Sequence, residues 1–255
     1  MSGATVPPPE TDSTRPGPPG DGGRGLPHRG AVQIAAEDAA QIAAQKAETG
    51  GSLRRFDVVE RALHWINAGL FAILMTTAAA LYVPDISAMV GRRELVKTIH
   101  VYAGLALPVP LLLAALSPRW GRAFRADVRR LNRWLPADGQ WLRQRGWRRD
   151  RDSGVPLGKF NPGQKINAAF TAGAILVMLA TGSIMRWYKP WPLQWRTGAT
   201  FVHDWIAIAV FCAITGHVMM AVGDPDSLRS MVGGRISRRW ARHHAPLWLE
   251  ELERR

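Results

Sequence analysis

Mapped by where charge is absent, the chain shows four long apolar runs. Residues 62–84 lie between Arg61 and Asp85, residues 98–118 between Lys97 and Arg119, and residues 166–185 between Lys165 and Arg186. A fourth run, 203–223, carries no charge from residue 205 until Asp224. Each approaches the roughly 20 residues that an α-helix needs to cross the hydrocarbon core of a bilayer, so the pattern predicts four membrane spans. Pro108 and Pro110 would break a soluble helix, but in a membrane bundle neighbouring helices tolerate such kinks. Four buried helices of a soluble core are the competing reading.

The segments between the runs differ sharply from them. Residues 1–30 hold seven Pro and seven Gly with few large apolar side chains, a composition that cannot offset the entropy of ordering. Residues 31–48, AVQIAAEDAAQIAAQKAE, are Ala-rich with a weak helical pattern and end near the breaker Gly50-Gly51. The N-terminus shows no secretory signal pattern. The expected organisation is therefore a disordered tail over 1–52 and a four-helix transmembrane domain over 53–222, with a loop at 119–165. A basic C-terminal tail with its own helix follows over 223–255. The fold class is all-α, an integral membrane four-helix bundle.

Charge then gives this bundle a direction. The formal net charge is +13 with a sequence pI near 11.2, although the mean hydropathy is only −0.09. Nucleic acid is a poor explanation, because the basic residues flank apolar runs and form no aromatic-interleaved motif. Residues 119–165 hold thirteen Lys/Arg against four Asp/Glu, and the tail from Gly223 adds seven Arg. The two short connections carry three basic residues each. The positive-inside rule then puts both termini and the long loop in the cytoplasm, in a multi-pass protein of the cell membrane.

Cysteine chemistry is excluded. Cys212 is the one cysteine, so there is no disulfide framework, iron–sulfur motif or CxxCH haem attachment.

The candidate chemistry lies in the histidines. His28 falls in the tail and His243-His244 in the basic C-terminus, while His64, His100, His203 and His217 sit in or beside spans. His203 and His217 are fourteen residues apart in FVHDWIAIAVFCAITGHVMM, which puts both on nearly one face, about 21 Å apart along the axis. With alternating span directions, His100 and His203 share the outer level and His64 and His217 the inner one. Two imidazoles at one level on facing helices are what bis-histidine ligation of a b-type haem requires. Gly104, one turn after His100, would leave room for a porphyrin edge. Hydrogen-bonded structural histidines are the bland alternative, and Met75, Met178, Met219 and Met220 are possible but unpaired axial ligands. Before span three, LGKFNPGQKINAAF contains Asn161-Pro162-Gly163, strong turn chemistry. Lys165 would anchor at the inner headgroups, and Asn161 and Gln164 would lie level with the inner histidine pair.

Several stretches together resemble the membrane gamma (cytochrome b) subunits of respiratory formate dehydrogenases. They are RFDVVERALHWINAGLF, KTIHVYAG, GKFNPGQK, HDWIAIAVFCAITGH and GGRISRRWARHHAPLWLEELER. The resemblance covers roughly residues 53–254. GKFNPGQK and SRRWARHHAPLW are its specific motifs, whereas the histidine pattern is shared with hydrogenase-type cytochromes b. It implies two haems b, with His100/His203 and His64/His217 as axial ligands to iron. It also implies partners: a molybdopterin alpha subunit, which oxidises formate, and an iron–sulfur beta subunit, which passes electrons on. The acceptor would be menaquinone or a related quinone, held by Asn161, Gly163, Gln164 and His217. The alternative is the cytochrome b subunit of a membrane-bound hydrogenase or another molybdopterin dehydrogenase.

Overall fold

The computed structural model describes residues 51–145 and 154–254. The tail expected over 1–52 lies outside them up to residue 50. Four helical spans are long and apolar enough to cross a membrane: α1 (Val58–Tyr82), the pair α3 (Arg93–Ala106) and α4 (Val109–Leu116) acting as one span, α7 (Pro162–Arg186) and α8 (Leu193–Val222). A short helix, α2 (Pro84–Val90), joins the first two spans. α1 packs chiefly against α3 and α7 against α8, so the spans form two antiparallel hairpins.

The helices start before the charge-free runs because a helix needs backbone hydrogen bonds and not an uncharged surface. α1 starts four residues early, on a capping box. The Asp57 carboxylate accepts from the Glu60 N–H at 2.7 Å, and the Glu60 carboxylate from the Asp57 N–H at 2.8 Å. α7 starts the same way, with Asn161 and Gln164 exchanging bonds of 2.9 and 3.0 Å, and Pro162 at the first helical position. α8 begins ten residues before His203, on the polar side of the apolar run. Span two is broken where Pro108 lacks an N–H. The Leu107 N–H is instead shared between the carbonyls of Ala103 and Gly104, at 3.1 and 3.3 Å.

Where the spans touch, the buried residues are mostly small: Ala80, Ala103, Ala114, Ala174 and Ala199, with Leu63 and Ile175. Small side chains let helix backbones approach in a membrane, where apolar burial alone gives no drive.

One end of the bundle carries a folded cap. The long loop forms α5 (Arg122–Asn132) and α6 (Pro136–Arg145), arginine-rich helices that no apolar run announces. Beyond α8 the basic tail is also structured, as α9 (Pro225–Gly233), β2 (Arg235–Ser237), α10 (Arg238–His244) and α11 (Pro246–Glu253). β2 pairs antiparallel with β1 (Ser52–Arg54), Leu53 facing Ile236 in register. Ile236, Trp240, Ala241, Ala245, Trp248 and Leu249 form the largest buried apolar cluster, with Leu53 packed against it. Gly234 makes this junction possible. Its φ is +77°, and its carbonyl accepts from the N–H groups of Arg55 and Phe56 at 2.9 and 3.2 Å. A Cβ there would come within 2.7 Å of the Phe56 carbonyl oxygen. The side chain of Arg61 reaches the Val232 carbonyl and the Trp65 indole donates to the Met231 carbonyl at 3.2 Å, pinning α1 to α9.

Candidate functional site

Two imidazole pairs lie between helices, one near the cap and one near the opposite end; His64, His100 and His203 are half-buried and His217 is exposed. His64, six residues into α1, faces His217 near the end of α8, with ring centres 6.2 Å apart and planes inclined by 58°. His100 of α3 faces His203 of α8 at 6.4 Å and 64°. α8 thus contributes one ring at each level, about 21 Å apart along its axis.

These separations are informative. A metal ion bonded at about 2 Å to one nitrogen of each ring, with each ring centre about 1 Å beyond, sets the centres about 6 Å apart. Both pairs meet this requirement. Among the described residues no cluster of three or more His, Cys, Asp or Glu is placed to hold a bare ion. Each pair offers two opposed nitrogens only, so the in-plane donors of a porphyrin would complete the set. Met219 and Met220 are exposed on the outside of α8, and a Cβ added to Gly104 would meet only Leu74, at 3.8 Å.

At the end away from the cap, a threonine hydroxyl stands beside one nitrogen of each ring. The Thr77 oxygen lies 2.8 Å from His100 Nδ1, and the Thr181 oxygen 2.9 Å from His203 Nδ1. Each hydroxyl also lies within bonding distance of its own helix's carbonyls, Thr77 at 2.7 Å from Ile73 and Thr181 at 2.8 Å from Val177. With the hydroxyl proton on the carbonyl, the threonine oxygen accepts from the ring, Nδ1 carries the proton and Nε2 keeps its lone pair for a metal. The two hairpins use one device: the first helix supplies the threonine, and the second supplies the histidine 22 or 23 residues later. No pattern along the chain announces it, because threonine in a span is ordinarily satisfied by its own helix.

Near the cap, Asn161 and Gln164 use their side-chain oxygens on each other's backbone N–H groups, which leaves both amide NH2 groups as donors. Gly163 lies between them, with a position for a Cβ 3.7 Å from the Trp141 ring. Lys165, one turn on, is not at a headgroup surface. It is 4% exposed and bonded to Asp138 at 2.6 Å and the Arg133 carbonyl at 2.8 Å.

Just before this turn, Lys159 is buried in an ion pair with Asp127 of α5, and its ammonium lies 4.0 Å from Glu60 of α1. Burial lowers the Lys159 pKa below the usual lysine value, against the opposing pull of Asp127 and Glu60. Asp127 also accepts from Arg130, which reaches on to Glu251 of α11, both at 2.8 Å. Nearby, Arg55 is 3% exposed, stacked 4.3 Å from the Trp240 ring and bonded to Ser227 at 2.8 Å. Burial pushes its guanidinium down to about 10, against the attraction of Asp224 and Asp127.

A family model described as prokaryotic cytochrome b561 matches residues 55–234. The chain is 26% identical over 212 residues to the nitrate-inducible formate dehydrogenase cytochrome b556(Fdn) subunit of Escherichia coli strain K12, covering 78% of this chain and 91% of that subunit. It is 25% identical over 209 residues to a formate dehydrogenase cytochrome b556 subunit of Haemophilus influenzae, covering 75% and 79%. The cytochrome b556(fdo) subunit of the same E. coli strain is 23% identical over 208 residues, at 78% and 93%.

Proposed function

The chain belongs to the prokaryotic cytochrome b561 family, and from that membership we propose that it is the membrane cytochrome b subunit of a respiratory formate dehydrogenase. The family implies b-type haem, and the two imidazole pairs at separations suited to a shared iron support one haem at each level. That geometry carries the reading, together with relatives similar along most of their length.

Bound haem supplies reversible one-electron chemistry, and the rest is done by this chain. His64 with His217 and His100 with His203 would hold the iron. Thr77 and Thr181 keep the outer rings in the metal-binding tautomer and fix their orientation. The arginine-rich cap faces the cytoplasm, which makes the His64/His217 pair the inner one. A menaquinone-type quinone binds beside it, its carbonyl accepting from the free amide donors of Asn161 and Gln164 near Gly163 and His217. Formate is oxidised on a molybdopterin alpha subunit, and an iron–sulfur beta subunit delivers the electrons to the outer end. The protein's work is to carry them across the bilayer to quinone.

The test is a set of reduced-minus-oxidised spectra on membranes given formate. Two b-type components are expected; His100→Ala and His203→Ala remove one, His64→Ala and His217→Ala the other. If His203→Ala and His217→Ala abolished the same component and spared the second, the pairing would be wrong. Reduction by hydrogen and not by formate would assign the chain to a hydrogenase.

A further inference from the structure

Glu60 stands out among the buried charges of the cap. Its side chain is 9% exposed, and one oxygen is used: Oε2 accepts from the Asp57 N–H in the capping box. Oε1 has no hydrogen-bond partner, the nearest cation being Lys159 Nζ at 4.0 Å. Asp127 of α5 faces the same ammonium, so two carboxyl groups share the single cation Lys159. His64 follows one turn later on the same helix. Capping alone does not call for a carboxylate here, since glutamine fills the same position in the matching box of α7. A buried, half-satisfied acid one turn from the inner histidine pair therefore needs another reason.

We propose that Glu60 is the proton donor of the inner quinone site, recharged through Lys159 and Asp127 from the aqueous face of the cap. The proposal rests on the quinone site described above. As the quinone takes two electrons supplied by the dehydrogenase, each carbonyl oxygen takes one proton. At one oxygen the O–H bond of the Glu60 acid breaks and an O–H bond to the quinone forms. The other oxygen takes its proton from water. The Glu60 carboxylate regains a proton from the Lys159 ammonium, whose burial weakens its hold on that proton. Lys159, paired with Asp127, is recharged from water at the end where Arg130 meets Glu251, whose side chain is 38% exposed. Lys159 and Asp127 face Glu60 from the turn and from α5, with Arg130 behind Asp127. Asp57, Arg61 and His64 are the titratable groups on its own helix.

Glu60→Gln keeps an acceptor for the Asp57 N–H and removes only the transferable proton. In the intact complex, formate-reduced and mixed with a soluble naphthoquinone, this variant should reoxidise about 100-fold more slowly at mildly alkaline pH. The deficit should shrink as the pH falls, because solvent protons then replace the relay. Both spectral components and the affinity for the naphthoquinone should be unchanged. A normal rate at every pH, with the naphthoquinone bound, overturns the proposal alone. Loss of the inner spectral component in Glu60→Gln also overturns it, by making Glu60 structural. If the wild-type inner component does not respond to the naphthoquinone at all, the quinone site and this proposal fall together.

Discussion

The Thr181 hydroxyl lies 2.9 Å from Nδ1 of His203 and 2.8 Å from the Val177 carbonyl of its own helix. A histidine on one helix is thereby oriented by the backbone of the helix beside it, through a single side chain. Thr77 does the same for His100 from the other hairpin. Both ligands of the proposed outer haem are set by hydroxyls that touch no metal.

Thr181→Val removes the acceptor and keeps the shape. Loss of such an outer-shell partner typically weakens metal binding by roughly 10- to 100-fold. Partial loss of the outer spectral component, or a shifted potential in what remains, is expected in a redox titration. The inner component should be unaltered, and Thr181→Ser should restore the wild-type titration. Equal effects on both components would mean that the threonine acts on the fold and not on its ring.

Asn161 has two separable duties. As the N-cap of α7 its oxygen stabilises the helix start by about 0.5–2 kcal/mol relative to alanine. Its NH2 group is the proposed quinone donor. Asn161→Asp keeps the capping oxygen and loses the donor, so thermal stability should hold while the apparent quinone affinity falls. The fall should be about 2- to 12-fold, from a lost bond of about 0.5–1.5 kcal/mol. Asn161→Ala should lower both. Unchanged quinone turnover in a double Asn161→Asp, Gln164→Glu variant that keeps both haems would place the quinone elsewhere.

The proposed sidedness rests on arginine placement and is open to direct measurement. A reporter fused after Arg255 should be active only in a form that works in the cytoplasm, and one inserted near Asp85 only in a form that works outside. The reverse pattern would move the quinone site to the outer face.

What the sequence displayed depends on which forces leave a local trace. The spans were legible because lipid demands uninterrupted apolar length, and the four histidines because polar groups are rare there. Their pairing by depth needed only the helical rise. Thr77 and Thr181 were invisible, since a span threonine is satisfied by its own helix and its second contact lies 22 or 23 residues away. The Glu60–Lys159–Asp127 cluster was hidden for a related reason: its members come from the start of α1, the turn before α7 and α5, which only the fold brings together. α5 and α6 lack apolar periodicity, and the Leu53–Ile236 strand pairing joins three-residue strands from opposite ends of the described chain. Lys165 was expected at the headgroups because charge was taken to mean water, whereas Asp138 gives it a buried partner.

Because both ring pairs draw one member from α8, the order of synthesis bears on when either can close. A nascent chain that has not reached Leu193 presents His64 and His100 on separate spans with nothing opposite. Reaching His203 from His100 takes roughly 5–20 s at typical translation rates. During that interval each level offers a single imidazole, so a haem at either proposed site would be held from one face only. The last span to leave the ribosome supplies the missing ring at both depths. Its first turns then carry His203 and its last carry His217, so the level away from the cap gains its second ring first.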